Sequence, residues 1–232
     1  MDVKESVLEL LGLKYSGIID SKEYVDWAVK LMINGIESEN IVILAGLDFS
    51  DTWEREEYFF KCLEDLNIEI PSEEDTFYSL SLIIARKVIN NEMEPQEALY
   101  KMYNILLASQ YDGKYMNFLT LSDAVLDLSY AENERYHSYF YPGMTNENVD
   151  QFIKEEFELY LKYQNIDVPE DFHKMHYCKK CNKRMIPSQK TKYQFRYPQR
   201  FIQLVCKNCK SNDLISCDSF EGRKLYLKEI GK

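Results

Sequence analysis

Glycine is scarce in this chain, at 8 of 232 residues, and none of the eight falls in a GxGxxG or GxxxxGKS/T run. Dinucleotide and P-loop sites need glycines that let backbone N–H groups reach a phosphate, so both classes are disfavoured. Histidine is scarcer still, at three residues, which leaves little room for histidine-based acid–base chemistry. No HExxH run is present. Long apolar runs are missing as well: the stretch from Ile41 to Leu47 is far short of the ~20 residues a helix needs to cross a bilayer. Met1 to Ser6 is acidic and lacks the basic and apolar regions of a secretory signal. These absences point to a cytosolic protein with no membrane anchor.

What the chain does contain is a strong separation of charge. Apolar residues make up 45% and charged residues 29%, which excludes a disordered or collagen-like chain and suits one or two folded domains. The net charge of −11 hides 35 Asp+Glu against 13 Lys+Arg in residues 1–172, and 4 against 15 in residues 173–232. From His173 to Lys210 there are 11 basic residues and no acidic one. The step follows Asp167 to Asp171, a polar stretch with a proline that reads as a linker. The expected division is therefore an acidic domain over 1–172 and a basic domain over 173–232.

The acidic part carries helical periodicity. Val25, Ala28, Val29 and Met32 recur at helical spacing between Ser21, a predicted N-cap, and Gly35, a predicted left-handed cap. A shorter helix is expected over 38–46, and Phe59, Cys62, Leu63 and Leu66 repeat the pattern after Asp51. Ser72 opens another helix, Pro95 suits the first turn of the next, and further helices fall at 117–129 and 148–163. Roughly seven or eight helices joined by short connections give an all-α bundle or an irregular helical array. Cys62 sits on an apolar face and reads as a packed thiol, and Trp27 and Trp53 as core or semi-core. The pairs Glu56–Glu57 and Glu73–Glu74 read as solvated faces, because adjacent helical positions do not share one. Tyr136, Tyr139, Phe140 and Tyr141 precede a Pro-Gly turn; packing of a loop and an interface are both open to them.

The basic part has the sharper pattern. Cys178 and Cys181 form one CxxC pair, Cys206 and Cys209 a second, with 24 residues between. Two such knuckles can present four thiolates to one tetrahedral Zn²⁺, with Zn–S near ~2.3 Å. Strand-forming residues over 190–197 and 200–205 suggest a hairpin with Pro198 near its turn, and a second hairpin is expected around Glu221-Gly222. This pattern, over about residues 175–230, resembles the zinc-ribbon group. The resemblance implies knuckles, short antiparallel strands and one structural zinc ion, and it leaves activity undetermined. His173 and His176 could supplement the ligands, and Cys217 reads as a packed thiol.

Three functions follow from these features. The first is a non-catalytic interaction protein whose acidic helical domain binds a basic protein partner, inhibitor- or immunity-like in charge balance. The second is a nucleic-acid-associated regulator, with Lys190, Lys192, Arg196 and Arg200 tracking phosphates while neighbouring rings stack on bases. The third is a hydrolase using carboxylates brought together from distant helices, for which no nucleophile–base pair is visible.

Overall fold

The computed structural model describes residues 2–130, 140–193 and 200–231, which divide into two compact units, Met1–Ser122 and Asp123–Lys232. The charge step near residue 172 thus falls inside the second unit. Among the described residues no helix is long and apolar enough to cross a membrane.

The first unit is helical throughout. It contains α1 (Val3–Tyr15), α2 (Lys22–Ile33), α3 (Glu39–Ala45), α4 (Thr52–Asp65), α5 (Glu73–Ile89) and α6 (Pro95–Ala108), and a 3-10 turn then leads into α7 (Met116–Tyr130). Helix starts follow local chemistry: Asp2, Ser38, Asp51 and Ser72 each accept a first-turn N–H with the side chain. At α2 the expected cap, Ser21, makes no capping bond. Asp20 takes the Lys22 N–H instead, at 2.9 Å, and the Ser21 hydroxyl accepts from Arg55. Helix ends are as regular. Gly35 stands at φ 75°, its N–H donates to Met32, and that of Ile36 donates to Leu31. This double closure satisfies the orphan carbonyls of the last turn. Asn67 at φ 52° closes α4 in the same way, through Asn67 to Glu64 and Ile68 to Leu63.

Tyr24, Leu31, Ile41, Leu44, Phe59 and Leu63 are completely buried in the core of α1–α4. The Tyr24 and Phe59 rings stack at 4.5 Å, and Trp27 meets Phe59 edge-on at 5.3 Å. Trp53 departs from the sequence expectation: it is 82% exposed. It precedes Phe59 by six residues and so points about 240° around the helix from it, away from the apolar face.

The second unit combines α8 (Val149–Tyr163) with a small β region. The strands are β1 (His176–Cys178), β2 (Arg184–Met185), β3 (Ser188–Tyr193), β4 (Arg200–Val205) and β5 (Leu214–Ser216), followed by α9 (Phe220–Glu229). β1 is central in an antiparallel sheet of order β2-β1-β5, while β3 and β4 form a separate two-stranded ladder from Ser188↔Val205 to Tyr193↔Arg200. The second hairpin expected around Gly222 is instead α9. Ser219 accepts the Gly222 N–H at 3.2 Å, and Phe220, Arg223, Tyr226 and Leu227 then bury one helical face. Gly222 is not a turn residue. A Cβ there would lie 1.9 Å from the Ser216 carbonyl oxygen, so only glycine lets α9 approach the end of β5.

Candidate metal centre

The four knuckle cysteines converge from the ends of two strands. β1 delivers Cys178 and β4 runs directly into Cys206. Both turns have the same backbone plan. In the first, Asn182 N–H donates to Cys178 O at 2.8 Å and Cys178 N–H to Lys183 O at 3.1 Å. In the second, Lys210 N–H donates to Cys206 O at 3.0 Å and Cys206 N–H to Ser211 O at 2.7 Å. Asn182 and Lys210 both adopt positive φ, at 52° and 59°, which turns the chain back after the second thiol of each knuckle. Lys179 N–H to Asp213 O, at 3.1 Å, ties one knuckle to the segment following the other.

Each knuckle therefore aims two sulfurs at the other. Cys178 Sγ lies 3.5 Å from Cys209 Sγ, and Cys181 Sγ 3.7 Å from Cys206 Sγ, and all four sulfurs fall within 4.8 Å of one another. These separations exceed the ~2.05 Å of a disulfide bond. They match the edge of about 3.8 Å that four ligands at 2.3 Å give a regular tetrahedron. The four cysteines could hold one metal ion, and the arrangement is compatible with zinc. Hydrogen bonds from the Cys209 and Asn208 N–H groups pull the Cys206 thiol down, whereas Cys209, despite the Ser211 N–H, is pushed up by burial and by the neighbouring sulfurs, so the sulfurs titrate as a set.

The histidines stand apart. His173 is exposed on a 3-10 turn, and His176 Nδ1 sits 3.2 Å from the Lys174 carbonyl. Among the described residues, the ion-holding group comprises the four cysteines and neither histidine. Cys217 is fully buried against Phe172, Tyr177 and Tyr226, and burial pushes its thiol up to about 12. Cys62 is likewise fully buried, and burial, followed by the Asp65 charge, pushes it up to about 12, far from a nucleophile's range.

Other predicted residues are placed as follows. Lys190 and Lys192 are exposed on β3, and the ladder sets them opposite Gln203 and Phe201 on one face. Arg196 lies outside the described residues, and of Arg200 only the backbone is described. Tyr136 and Tyr139 also lie outside them. Phe140 is 52% exposed. Of the packing and interface roles open to Tyr141, the structure shows packing: it is buried, lies 5.2 Å from Phe220, and donates to Glu156 Oε2 at 3.2 Å. The Glu56–Glu57 pair splits, with Glu56 meeting Lys14 and Glu57 meeting Lys61.

Sequence reasoning missed a buried ion pair in the second unit. Arg223 on α9 donates to both oxygens of Glu156 on α8, at 2.6 and 2.8 Å, with side-chain exposures of 6% and 1%. Burial alone would lower the Arg223 pKa, but the Glu156 carboxylate holds it above its ordinary value. A signal was present: Glu156 follows Ile153 by three residues and precedes Tyr160 by four, on the apolar stripe of α8. A carboxylate on such a stripe requires a cation. Comparison with family models, curated proteins and solved structures finds no match to the chain.

Proposed function

We propose that this is a non-catalytic binding protein whose acidic helical part recognises a basic surface on a protein partner, with the C-terminal region folded around one structural zinc ion held by Cys178, Cys181, Cys206 and Cys209. One observation carries the binding reading. Residues 1–122 contain 23 Asp+Glu and 10 Lys+Arg, and the lysines are largely spent within the unit. Lys14, Lys22, Lys61, Lys87, Lys101 and Lys114 each lie in an ion pair with a carboxylate. Arg55 turns inward to the carbonyls of Leu47 and Asp48. What faces solvent is an uncompensated excess of carboxylates, which steers basic partners in and polyanions away.

A test immobilises the zinc-loaded full chain and presents small basic proteins, neutral proteins of similar size, and single- and double-stranded oligonucleotides at two salt concentrations. Retention of basic proteins that weakens with salt and survives nuclease treatment is expected. Retention of oligonucleotides without basic proteins would overturn this reading. That outcome belongs to a second reading, favoured by the exposed Lys190–Lys192 face with Phe201 beside it, in which the β3–β4 ladder contacts a nucleic-acid backbone. Charge reversal at Lys190 and Lys192 separates the two, because only nucleic-acid binding should lose its salt slope.

A further inference from the structure

The connection between α3 and α4 turns two aromatic side chains out of the acidic unit. Phe49 is 100% exposed, and Trp53, in the first turn of α4, is 82% exposed. The backbone carrying them is held from within. Arg55 donates from Nε to the Leu47 carbonyl at 3.0 Å, from Nη2 to the Asp48 carbonyl at 2.7 Å, and from Nη1 to Ser21 Oγ at 3.0 Å. Ser50 N–H returns to Leu47 O at 3.2 Å, and Asp51 caps α4 through the Glu54 N–H at 2.9 Å. The loop satisfies its polar groups internally and leaves its rings in water. A fixed presentation lowers the ordering cost of binding, and large aromatics are the side chains that anchor interfaces.

The chemistry around the rings selects the occupant. Residues 48–57 contain five carboxylates and one cation, Arg55, whose guanidinium is committed to the loop; Asp48, Glu56 and Glu57 pair with Lys22, Lys14 and Lys61, and among the described residues Asp51 and Glu54 lie in no ion pair. Asp51 and Glu54, which flank Trp53 in sequence, are both exposed. We propose that Phe49 and Trp53 anchor a docking surface for an arginine-bearing basic segment of a partner protein. This rests on the binding reading above and gives it a place on the molecule. An occupant has to cover flat apolar rings and satisfy carboxylates at the same time. Arginine does both, because its weakly hydrated guanidinium stacks on a ring face while its N–H fork meets a carboxylate; the lysine ammonium is compact and strongly hydrated. Nucleic-acid bases also stack on rings, but the same carboxylates repel their phosphates.

The test is calorimetric titration of the full chain with a short peptide alternating arginine and glycine, and with its lysine counterpart, at two salt concentrations. The arginine peptide should bind more tightly and weaken with salt. The F49S/W53A double variant should lose about 10-fold or more in affinity, as removal of interface anchors does. Both positions are exposed, so circular dichroism and the emission of the buried Trp27 confirm that the variant is folded. The same comparison is made with any basic protein retained by the immobilised chain. Unchanged affinity of the double variant for every bound probe would overturn the docking surface while leaving the binding reading intact. Equal affinity for the two peptides would overturn the arginine preference. Sedimentation of the free chain covers the other occupant: a dimer that F49S/W53A dissociates assigns the rings to a second copy and overturns the proposal. If no basic peptide or protein binds at all, both readings fall together.

Discussion

Glu156 and Arg223 show how much one contact can carry. Each is a poor core residue alone, since an isolated charge taken out of water costs several kcal/mol. Together they form two short hydrogen bonds, and Tyr141 supplies a third to the same carboxylate. Glu156→Gln leaves the guanidinium buried without its counter-charge and should destabilise the second unit by about 3–5 kcal/mol. Urea unfolding, followed by circular dichroism, reads this directly. Joint replacement of Glu156 and Arg223 by apolar residues of similar volume should recover most of the loss, whereas a pair dispensable to the fold would show no loss in the single variant. The cysteines divide at the same scale. If the four cysteines hold zinc as proposed, Cys209→Ser should abolish stoichiometric binding and unfold the part of the second unit around them, because metal binding in small modules contributes of order 10 kcal/mol to folding. Cys217→Ser should keep one ion per chain by elemental analysis and lose only packing stability. One metal ion per chain still bound after replacement of Cys209 would sink the assignment. The cysteine set was legible in the sequence because ligand spacing within a knuckle is local, and a CxxC turn places both thiols on one side whatever the rest of the chain does.

Among the elements, α9 taught the most. Glu221-Gly222 between two apolar runs reads as a hairpin turn in one dimension. In the fold, Ser219 caps a helix whose buried face carries Phe220, Arg223 and Tyr226, and Gly222 is where that helix meets the backbone of Ser216 and Cys217. The decisive constraint is a close approach to β5, which no local pattern encodes. Gly222→Ala should push α9 off the sheet and cost about 3 kcal/mol or more, as overpacking a tight backbone contact does. Gly35→Ala is the contrasting case: nothing lies near its Cβ, so only the strain of positive φ is added, about 1 kcal/mol. Comparing the two melting midpoints tests whether steric approach outweighs backbone strain. The helices of the first unit were legible for the opposite reason. Their apolar residues recur at helical spacing, and Asp, Ser, Asn and Gly stand at their ends, so each signal lies within one or two turns of what it specifies. The Trp53 expectation failed because a helical frame alone does not say which face meets the core.

For the molecule as a whole, pH acts through its buried groups and its thiolates. Burial raises Cys62 and Tyr115 in the first unit, each to about 12. A group raised in the folded state holds its proton longer there than in the unfolded chain, so its contribution is complete below the unfolded pKa and is lost as pH climbs toward the folded one. For Cys62 that window opens near ~8.5 and for Tyr115 near ~10. The urea midpoint of the first unit should therefore hold steady from neutral pH to the thiol range and fall above it. Cys62→Ala should delay the fall until the tyrosine range. A midpoint that declines identically in both proteins would show that Cys62 does not govern the onset. If the four cysteines hold a metal as proposed, the second unit should weaken first in acid, because protonation of the four thiolates competes with the ion. Chelation at neutral pH should reproduce that loss and spare the first unit, since no residue of 1–122 belongs to the cysteine cluster.

By itself the sequence determined what depends on neighbours along the chain: the helical periods and their caps, the two CxxC knuckles, the charge step, and the absence of phosphate-binding glycine loops. Tertiary structure alone decided that Tyr141 is buried beside Glu156, that Arg223 answers a carboxylate 67 residues away, that Gly222 marks a backbone contact, and that Phe49 and Trp53 face water. The physical reason is one of range. Hydrogen-bonded turns and side-chain periodicity are closed within a few residues, whereas burial and ion pairing are set by which distant segment arrives to complete them.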